Sequence, residues 1–561
     1  MVASRVLRRV VWFDRLWLLA VVLASSLWCL SEARALGPTF DEPFYMQAGL
    51  DAWRTGSYSA LLTHGAMPLS VDVATLPAYV YERWSGTQLD VVRDLPRILE
   101  WARSASLVFW VLLLVYTFAA ARRLAGPWAG RLAVALVAVE PVLLGHAALA
   151  TADVAVTACL VALTFHFAVG RGQGVWRRVG IPGLWYGAAL LAKASTVLLG
   201  PVCLAGVEVA RALAPAVSSG TPSVPPSFKQ FVRDWAAMAA IALGITFIYC
   251  GSDWHAEPSF VAWANALPAS RSAEVWRSIA THLRIFTNGG DGLVRQIRHG
   301  LLGHGGGAYL LGEVRTSFWY YFPTTLSMKV GLPLLALPVL IAATRIRTLM
   351  NWPNTVAAAL LLVSLSSRVQ IGVRYYLPLI AFAAIGLSAS LVQAYRSRGR
   401  GARALLAGAA VAGVIWNAGA TAAVGPQALC YTNPLWGGSS QSIVLLSDSN
   451  CDWGQGVPDL VAWYRAHGAP PLDVWYFGTD PAIETLPFRL VPLHRLTLNT
   501  DDDILAAVRG HYLAVSGTLL HGTIINDSHR RAVQYLEGQQ PAGRTMTFVI
   551  YDFTGRSSAL R

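Results

Sequence analysis

Two adjacent carboxylates, Asp41 and Glu42, directly follow the first long apolar run of the chain. They stand in the stretch Gly37-Pro38-Thr39-Phe40-Asp41-Glu42-Pro43-Phe44-Tyr45. Paired acids at a membrane surface can hold a metal ion or a polar substrate while the neighbouring bilayer holds an apolar one. The same residues also suit the start of a helix, because Thr39 or Asp41 is a good N-cap and Pro43 fits a first turn. The residues alone leave both interpretations open.

Asp153 is a second isolated acid, and hydropathy places it on the same side of the membrane as Asp41. A helix cap is again one interpretation, but two acids at neighbouring helix ends can also bind a divalent cation or divide base and metal duties. Three cations, Arg103, Lys193 and Arg374, stand at the edges of apolar runs. One such cation is usually a surface anchor. Three of them facing a common hollow indicate an anion site, and the anion available in a membrane is a lipid phosphate.

The composition is that of an integral membrane protein. Of its 561 residues 55% are hydrophobic and only 13% are charged, whereas roughly a quarter are charged in soluble domains. The formal net charge of +13 comes from short basic clusters between apolar runs, which is typical of cytoplasmic loops. We therefore expect the lipid bilayer as a partner and no nucleic acid. Among the six cysteines, only Cys430 and Cys451 lie in polar sequence, where they either form a disulfide or remain thiols.

Apolar runs predict about eleven membrane-spanning helices. They lie at about residues 16–30, 104–121, 129–147, 153–169, two within 181–210, 235–250, 327–343, 354–367, 373–391 and 403–423. Basic residues before the first run, Arg5, Arg8, Arg9 and Arg15, place the N-terminus in the cytoplasm, and an odd number of spans places the C-terminus outside. The expected location is the plasma (inner) membrane.

The chain divides into two parts, a polytopic α-helical membrane part and a small soluble one. Residues 1–424 carry the spans and two long loops on the outer side, 36–100 and 252–325. Residues 425–561 have the composition of a soluble protein and predict an extracytoplasmic α/β domain. Its predicted elements are strands at 443–446, 472–477, 512–515 and 547–551 and a helix at 457–467.

Several short motifs follow one another along the chain. They are Phe40-Asp41-Glu42-Pro43-Phe44-Tyr45, His64-Gly65, Pro68-Leu69, Ala102-Arg103, Ala150-Thr151-Ala152-Asp153, Leu191-Ala192-Lys193 and Val373-Arg374-Tyr375-Tyr376-Leu377-Pro378. In this order and sidedness they resemble the polyprenyl-phosphate-sugar-dependent glycosyltransferases of the GT-C superfamily. That group includes the protein O-mannosyltransferases of glycosyltransferase family 39 and the lipid A aminoarabinose transferase. The resemblance covers essentially the whole chain, and residues 1–424 would be its catalytic domain.

A further run is the most specific match. Asp448-Ser449-Asn450-Cys451-Asp452-Trp453-Gly454-Gln455 resembles the Asp-Ser-Asn-x-Asp-Trp-Gly-Gln signature of uncharacterised bacterial members of the group. A turn after a strand is the other interpretation of these residue types. The resemblance assigns no role to this run.

The resemblance implies inverting transfer of a single sugar, hexosyl or pentosyl, from a polyprenyl-phosphate carrier to an acceptor glycan, lipid or protein on the outer face. Asp41 would be the catalytic carboxylate of the acid pair with Glu42, either as the base or as the holder of a metal. Asp153 would position the acceptor or the metal. A divalent ion at Asp41 and Asp153 is therefore a possible cofactor.

The cations have implied roles as well. Lys193, Arg374 and Tyr375 would bind the phosphate of the carrier, and Arg103 would join them and orient the first loop. The alternative function is a transporter or flippase of lipid-linked sugars without transferase activity. A transporter predicts broken helices in matching halves and ionisable groups at mid-membrane, whereas the acids here cluster at one mouth. A scaffold with a binding domain is a third hypothesis.

Overall fold

The computed structural model describes residues 2–213, 227–285, 287–305, 307–522 and 524–555. The first part consists of α1 (Val2–Ala35), α2 (Glu42–Thr55), α3 (Ser59–Thr63), α4 (Pro68–Ser85), α5 (Leu95–Ala125), α6 (Pro127–Ala138) and α7 (Pro141–Ala147). Proline occupies the first turn of α2 and of α4 to α7, where a missing N–H breaks no helix bond. The long helices α1 and α5 pack on each other, and α2 to α4 occupy the loop between them.

Four helices follow: α8 (Ala152–Gly170), α9 (Ile181–Ala192), α10 (Thr196–Leu213) and α11 (Phe228–Cys250). α8 packs against α5 and α9, so most of its side chains are buried. The break between α9 and α10 leaves Lys193 in an extended conformation at the end of α9. The lysine is thereby placed at a helix end, where its ammonium group reaches a carboxylate of α8.

The predicted loop at 252–325 is largely folded. It contains α12 (Pro258–Ala266), α13 (Arg271–His282), α14 (Thr287–Leu302) and a hairpin of β1 (Ala308–Leu310) and β2 (Glu313–Arg315), and α15 (Tyr321–Lys329) follows. α14 packs against α3 and α11, so this region lies beside the helices of the first loop.

The membrane part ends with α16 (Leu332–Arg345), α17 (Trp352–Ser364), α18 (Leu377–Arg396) and α19 (Arg400–Val424). α18 is central: it packs against α5, α6, α8, α16 and α17, and 83% of its apolar stretch is buried. In each of the helices α1, α11, α16 and α19, only 22% of the apolar stretch is buried. The bundle therefore has a protein-facing centre and an apolar rim, as a bilayer requires.

A helix lies at each of the eleven positions predicted from hydropathy. Within the described residues, eight helices are long and apolar enough to cross a membrane, and α6 with α7, bent by 66° at residues 139–140, makes a ninth if the pair is one span. α9 and α17 have only 12 and 13 residues. The multi-span helical fold is confirmed. Full-length spans are fewer than predicted, because hydropathy does not detect breaks in a helix.

The last part of the chain contains a mixed sheet. Its described strands are β3 (Leu472–Trp475), β4 (Arg489–Leu490), β5 (Tyr512–Ser516), β6 (Gly543–Arg544) and β7 (Phe548–Asp552), in the order β4-β3-β5-β7-β6. β3 is parallel to β4 and β5, and β7 is antiparallel to β5 and β6. The helices of this part are α20 (Ser442–Leu445), α21 (Val457–Ala466), α22 (Asp501–Val508) and α23 (Asp527–Glu537).

Three of the four predicted strands are present as β3, β5 and β7, and the helix predicted at 457–467 is α21. The strand predicted at 443–446 is wrong, because residues 442–445 form the single helical turn α20. Ile443 of this turn lies against Gly517, next to β5. A four-residue apolar run fits either a strand or a buried helical turn, so the tertiary contact decides.

Cys430 and Cys451 are buried thiols in this structure. The Sγ of Cys430 donates to the carbonyl of Cys451 at 3.0 Å, and the Sγ of Cys451 donates to the carbonyl of Leu446 at 3.2 Å. Of the two alternatives for this pair, the described residues show the reduced one.

Candidate active site

Asp41 immediately precedes α2, but its carboxylate does not cap the helix. Within the described residues the side chain makes no capping bond, and Oδ2 instead accepts a hydrogen bond from Nη1 of Arg374 at 3.0 Å. The side chain is 26% exposed. The structure therefore separates the two interpretations of Asp41, because the carboxylate lies against a guanidinium group and not on the helix end. Asp41, Arg374 and the two side chains described next, Asp153 and Lys193, are called here the polar cluster.

Asp153 lies in the first turn of α8 and is almost completely buried. Its Oδ1 accepts a hydrogen bond from Nζ of Lys193 at 2.6 Å, and its Oδ2 accepts one from Thr151 at 3.2 Å. The same Oδ2 lies 4.0 Å from Nη1 of Arg374, the nitrogen that also bonds to Asp41. The two acids thus flank one guanidinium nitrogen, although they belong to different helices.

Arg374 precedes α18 in a short turn, and its side chain is 10% exposed. Its Nε is buried and has no hydrogen-bond partner among the described residues. A buried N–H without an acceptor is costly, so this N–H is available to donate to a water or to a ligand oxygen. The ring of Tyr375 lies 4.3 Å from Nζ of Lys193 and 5.6 Å from Cζ of Arg374. The aromatic face therefore lies against both cations of the site.

Tyr45 of α2 lies close enough to Asp41 and Asp153 for their charges to act on it. Burial raises the pKa of Tyr45 well above its ordinary range, and the negative charge of Asp41 adds to the effect. The Tyr45 hydroxyl consequently stays protonated at neutral pH. It is therefore a possible hydrogen-bond donor beside the polar cluster.

Glu42 and Arg103 lie beside the polar cluster and form a closed pair. Arg103 donates from Nε to Oε1 of Glu42 at 3.0 Å and from Nη2 to Oε2 at 2.7 Å. Its other N–H groups donate to the carbonyls of Ala33, Leu36 and Gly37, and the arginine is 2% exposed. Since all five N–H groups are used, Arg103 has none left for a phosphate. The predicted catalytic contact of Glu42 and carrier contact of Arg103 do not fit this geometry, and the orienting role of Arg103 stays a prediction.

Glu42 also joins two parts of the site. Its carboxylate accepts hydrogen bonds from the backbone N–H groups of Thr39 and Ala150, each at 2.8 Å. Burial would raise the pKa of Glu42, but the charge of Arg103 and these hydrogen bonds outweigh it and hold the pKa below its usual value. The ionised carboxylate thereby fixes the start of α2 against the turn before α8, and so fixes Asp41 relative to Asp153.

The site prediction did not include Asp448 and Trp453, two residues that lie near Arg374. The Trp453 ring centroid is 4.1 Å from Cζ of Arg374. The carboxyl of Asp448 is within range of the charges of Arg374 and Asp41; burial raises its pKa, and the charge of Arg374 opposes this. Both residues belong to the run 448–455, so its resemblance to a family signature was the signal that marked them.

The predicted metal site at Asp41 and Asp153 does not fit the donors that the structure offers. Oδ2 of Asp41 and both oxygens of Asp153 already face guanidinium, ammonium or hydroxyl donors. In the described part of the chain no group of three or more His, Cys, Asp or Glu side chains is arranged to hold a metal ion. A divalent ion needs several free oxygen ligands, and these carboxylates are instead bonded to cations.

One family model matches part of the chain. Residues 99–215 match the family described as dolichyl-phosphate-mannose-protein mannosyltransferase. This segment contains Asp153 and Lys193 but neither Asp41 nor Arg374. No curated protein matches the sequence.

Solved structures of membrane transferases resemble the chain over nearly its whole length. The apo oligosaccharyltransferase of Archaeoglobus fulgidus matches with a TM-score of 0.50 and 13% identity, over 98% of this chain and 76% of that one. AglB of the same organism, in complex with an inhibitory peptide and a dolichol-phosphate, has a TM-score of 0.48 and 12% identity, over 98% and 75%. ArnT from Cupriavidus metallidurans bound to undecaprenyl phosphate has a TM-score of 0.31 and 12% identity, over 95% of this chain and 97% of that one. The expected resemblance to GT-C proteins is thus confirmed for the fold and for one family segment.

Proposed function

We propose that this protein transfers a single sugar from a polyprenyl-phosphate carrier to an acceptor at the outer face of the membrane. The observation that carries the proposal is the guanidinium of Arg374, flanked by Asp41 and Asp153 from two distant helix starts, with Lys193 beside them. Ionisable groups gathered at the edge of a membrane bundle cost free energy, so such a group of side chains indicates a functional site. The family matched by residues 99–215 is named for a sugar donor of this class.

Arg374 and Lys193 supply the charge that a glycosyl phosphate needs as it leaves. Negative charge grows on the phosphate oxygen when its bond to C1 of the sugar breaks, and fixed cations in a dry site stabilise that charge. The unpartnered Nε of Arg374 offers an N–H to such an oxygen. The ring of Tyr375 lies against Lys193 and Arg374, and Tyr45 lies close enough to be affected by the charges of Asp41 and Arg374.

Asp41 is the proposed base. The acceptor hydroxyl or amine attacks C1 from the face opposite the phosphate, its proton passes to the carboxylate of Asp41, and the phosphate leaves with the bonding electron pair. A single displacement of this kind inverts the configuration at C1. Asp153, held by Lys193, keeps the cations and the acceptor in place.

The proposed setting follows from the charge pattern of the sequence. The N-terminus is cytoplasmic, residues 1–424 form the catalytic membrane domain in the inner membrane, and residues 425–561 lie outside as a soluble domain. The sugar is a hexose or a pentose, and the acceptor is a glycan, a lipid or a protein.

The test uses the purified full-length protein in lipid nanodiscs with a panel of labelled undecaprenyl-phosphate sugars. The wild type should release or transfer the label from one of them. Asp41→Asn should slow the release or transfer of the label by roughly a hundredfold or more, which is the usual contribution of a positioned base. Asp51→Asn is the matched control, because Asp51 is a half-exposed acid on the same helix. Carrier movement between leaflets without sugar release, unaffected by Asp41→Asn, would contradict the proposal and favour a flippase.

A further inference from the structure

The segment 447–455, called here the bridging segment, has no part in the reaction proposed above, yet it is buried and firmly anchored. The hydroxyl of Thr518 accepts from the N–H of Asp448 at 2.9 Å and donates to the carbonyl of Asp452 at 2.7 Å. The carboxylate of Asp452 accepts from the N–H of Thr518 at 2.9 Å. The ammonium of Lys329 donates to the carbonyl of Asn450. These bonds give the segment one fixed conformation.

On one side the bridging segment holds the stretch of chain before α2. The N–H of Phe40 donates to the carbonyl of Trp453 at 2.7 Å, and the N–H of Gly37 donates to the carbonyl of Gln455 at 3.0 Å. Phe40 directly precedes Asp41 in the sequence. The backbone from which this carboxylate projects is therefore fixed by the bridging segment.

On its other side the segment holds the turn before α18. The hydroxyl of Ser449 donates to the carbonyl of Ile371 at 2.6 Å, and the N–H of Val373 donates to Oδ1 of Asn450 at 2.9 Å. The approach is so close that a Cβ on Gly372 would lie 2.1 Å from Oγ of Ser449. Val373 directly precedes the arginine of the site, so both members of the ion pair between Asp41 and Arg374 depend on one segment.

Trp453 adds a contact to the arginine side chain itself. Its ring is 2% exposed and lies over the guanidinium of Arg374, with 4.1 Å between the ring centroid and Cζ. Asp41 bonds to the Nη1 edge of the same group. With one face against the ring and one edge on a carboxylate, the guanidinium cannot turn freely. Its Nε stays directed to the place where the described residues provide no acceptor.

We propose that the bridging segment is part of the carrier-phosphate site, with Trp453 as the positioning residue that holds Arg374 toward the phosphate of a polyprenyl phosphate. The inference rests on the proposed function, because it names a further residue of the same anion site. A cation against a desolvated aromatic face gains appreciable free energy. Removal of the ring should therefore weaken anion binding without removing any charge.

The experiment measures binding of undecaprenyl phosphate to the full-length protein in nanodiscs by titration, with inorganic phosphate as a second probe. Trp453→Leu should weaken undecaprenyl phosphate binding by about five- to thirtyfold, and Trp453→Phe should restore most of the affinity. Trp475→Leu is the matched control, because Trp475 is equally buried in the same part of the chain but is bonded to His494, away from Arg374. It should lower thermal stability and leave the affinity of the folded protein unchanged.

A second set of variants covers the case in which Trp453→Leu does not fold. Site-specific fluorinated tryptophans at 453 keep the shape of the ring and weaken its negative face, so affinity should fall stepwise with fluorination. Unchanged affinity in both sets, while Arg374→Met loses binding, would overturn the role of Trp453 and leave the proposed function standing. Unchanged affinity in Arg374→Met as well would overturn the proposed anion site itself. Equal losses of affinity for undecaprenyl phosphate and for inorganic phosphate would show that Trp453 affects binding of the phosphate group, as expected, and not binding of the lipid chain.

Discussion

Replacing Glu42 by Gln should strongly destabilise the protein, because Arg103 is then buried without its counter-ion. The carboxylate takes two bonds from Arg103 and one each from the N–H groups of Thr39 and Ala150. A Gln side chain keeps one acceptor oxygen and turns an NH₂ donor toward donors. Removing one partner of a buried ion pair costs about 3–5 kcal/mol, which lowers the folded-to-unfolded ratio roughly a hundredfold to several thousandfold.

The assay is denaturant unfolding in lipid nanodiscs or detergent, followed by tryptophan fluorescence. Glu100→Gln is the matched control, since Glu100 pairs with Arg34 at the surface, where the two side chains are 51% and 69% exposed. Such a pair contributes about 1 kcal/mol or less. The double variant Glu42→Leu with Arg103→Met should recover much of the lost stability, because it leaves neither charge unpaired.

The outcome separates the two roles that have been considered for Glu42. A Glu42→Gln protein as stable as Glu100→Gln would refute the structural clamp. If that stable variant also failed to transfer sugar, the catalytic role first predicted for Glu42 would be favoured instead.

Asp452→Asn should make stability less sensitive to pH. Burial raises the pKa of Asp452 from 3.8 to about 7, so between these values the folded state holds a proton that the unfolded chain has lost. Stability should therefore fall as the pH rises from 3.8 to 7, and less so in Asp452→Asn; equal slopes in denaturant titrations would contradict this. Gly372→Ala should reduce both thermal stability and undecaprenyl phosphate binding, because its Cβ would lie 2.1 Å from Oγ of Ser449. Adding Ser449→Gly should restore both only in part, because it removes the clash but leaves the new alanine at a φ of 152° and removes the bond from Ser449 to Ile371; full recovery would show that the clash alone is limiting.

The polar residues at the ends of apolar runs were the predictable part of the site. Asp41, Asp153, Lys193 and Arg374 each stand at or next to a helix boundary. Hydropathy and basic loops place these boundaries at the same end of the bundle, and in the structure the four side chains meet. Their chemical roles remain predictions.

The direction of a side chain was not predictable. Successive residues at a helix start point about 100° apart, so Asp41 faces Arg374 while Glu42 faces Arg103. The sequence does not show which of the two acids contacts Arg374 and which contacts Arg103. The role of Trp453 was even less predictable, because its contact with Arg374 depends on how the last part of the chain packs on the helix bundle. Only the match of its motif indicated that the run mattered.

The hydrogen bonds from Gly37 and Phe40 to the bridging segment have a consequence for how such proteins diverge. A chain cut after Val424 would keep all the spans and the four polar side chains, yet it would lose the ring over Arg374 and the two carbonyls behind Asp41. Residues 1–424 and residues 425–561 are therefore not interchangeable modules. A chimera of two relatives should work only when the loop after the first helix, the turn before α18 and the segment that joins them come from the same parent.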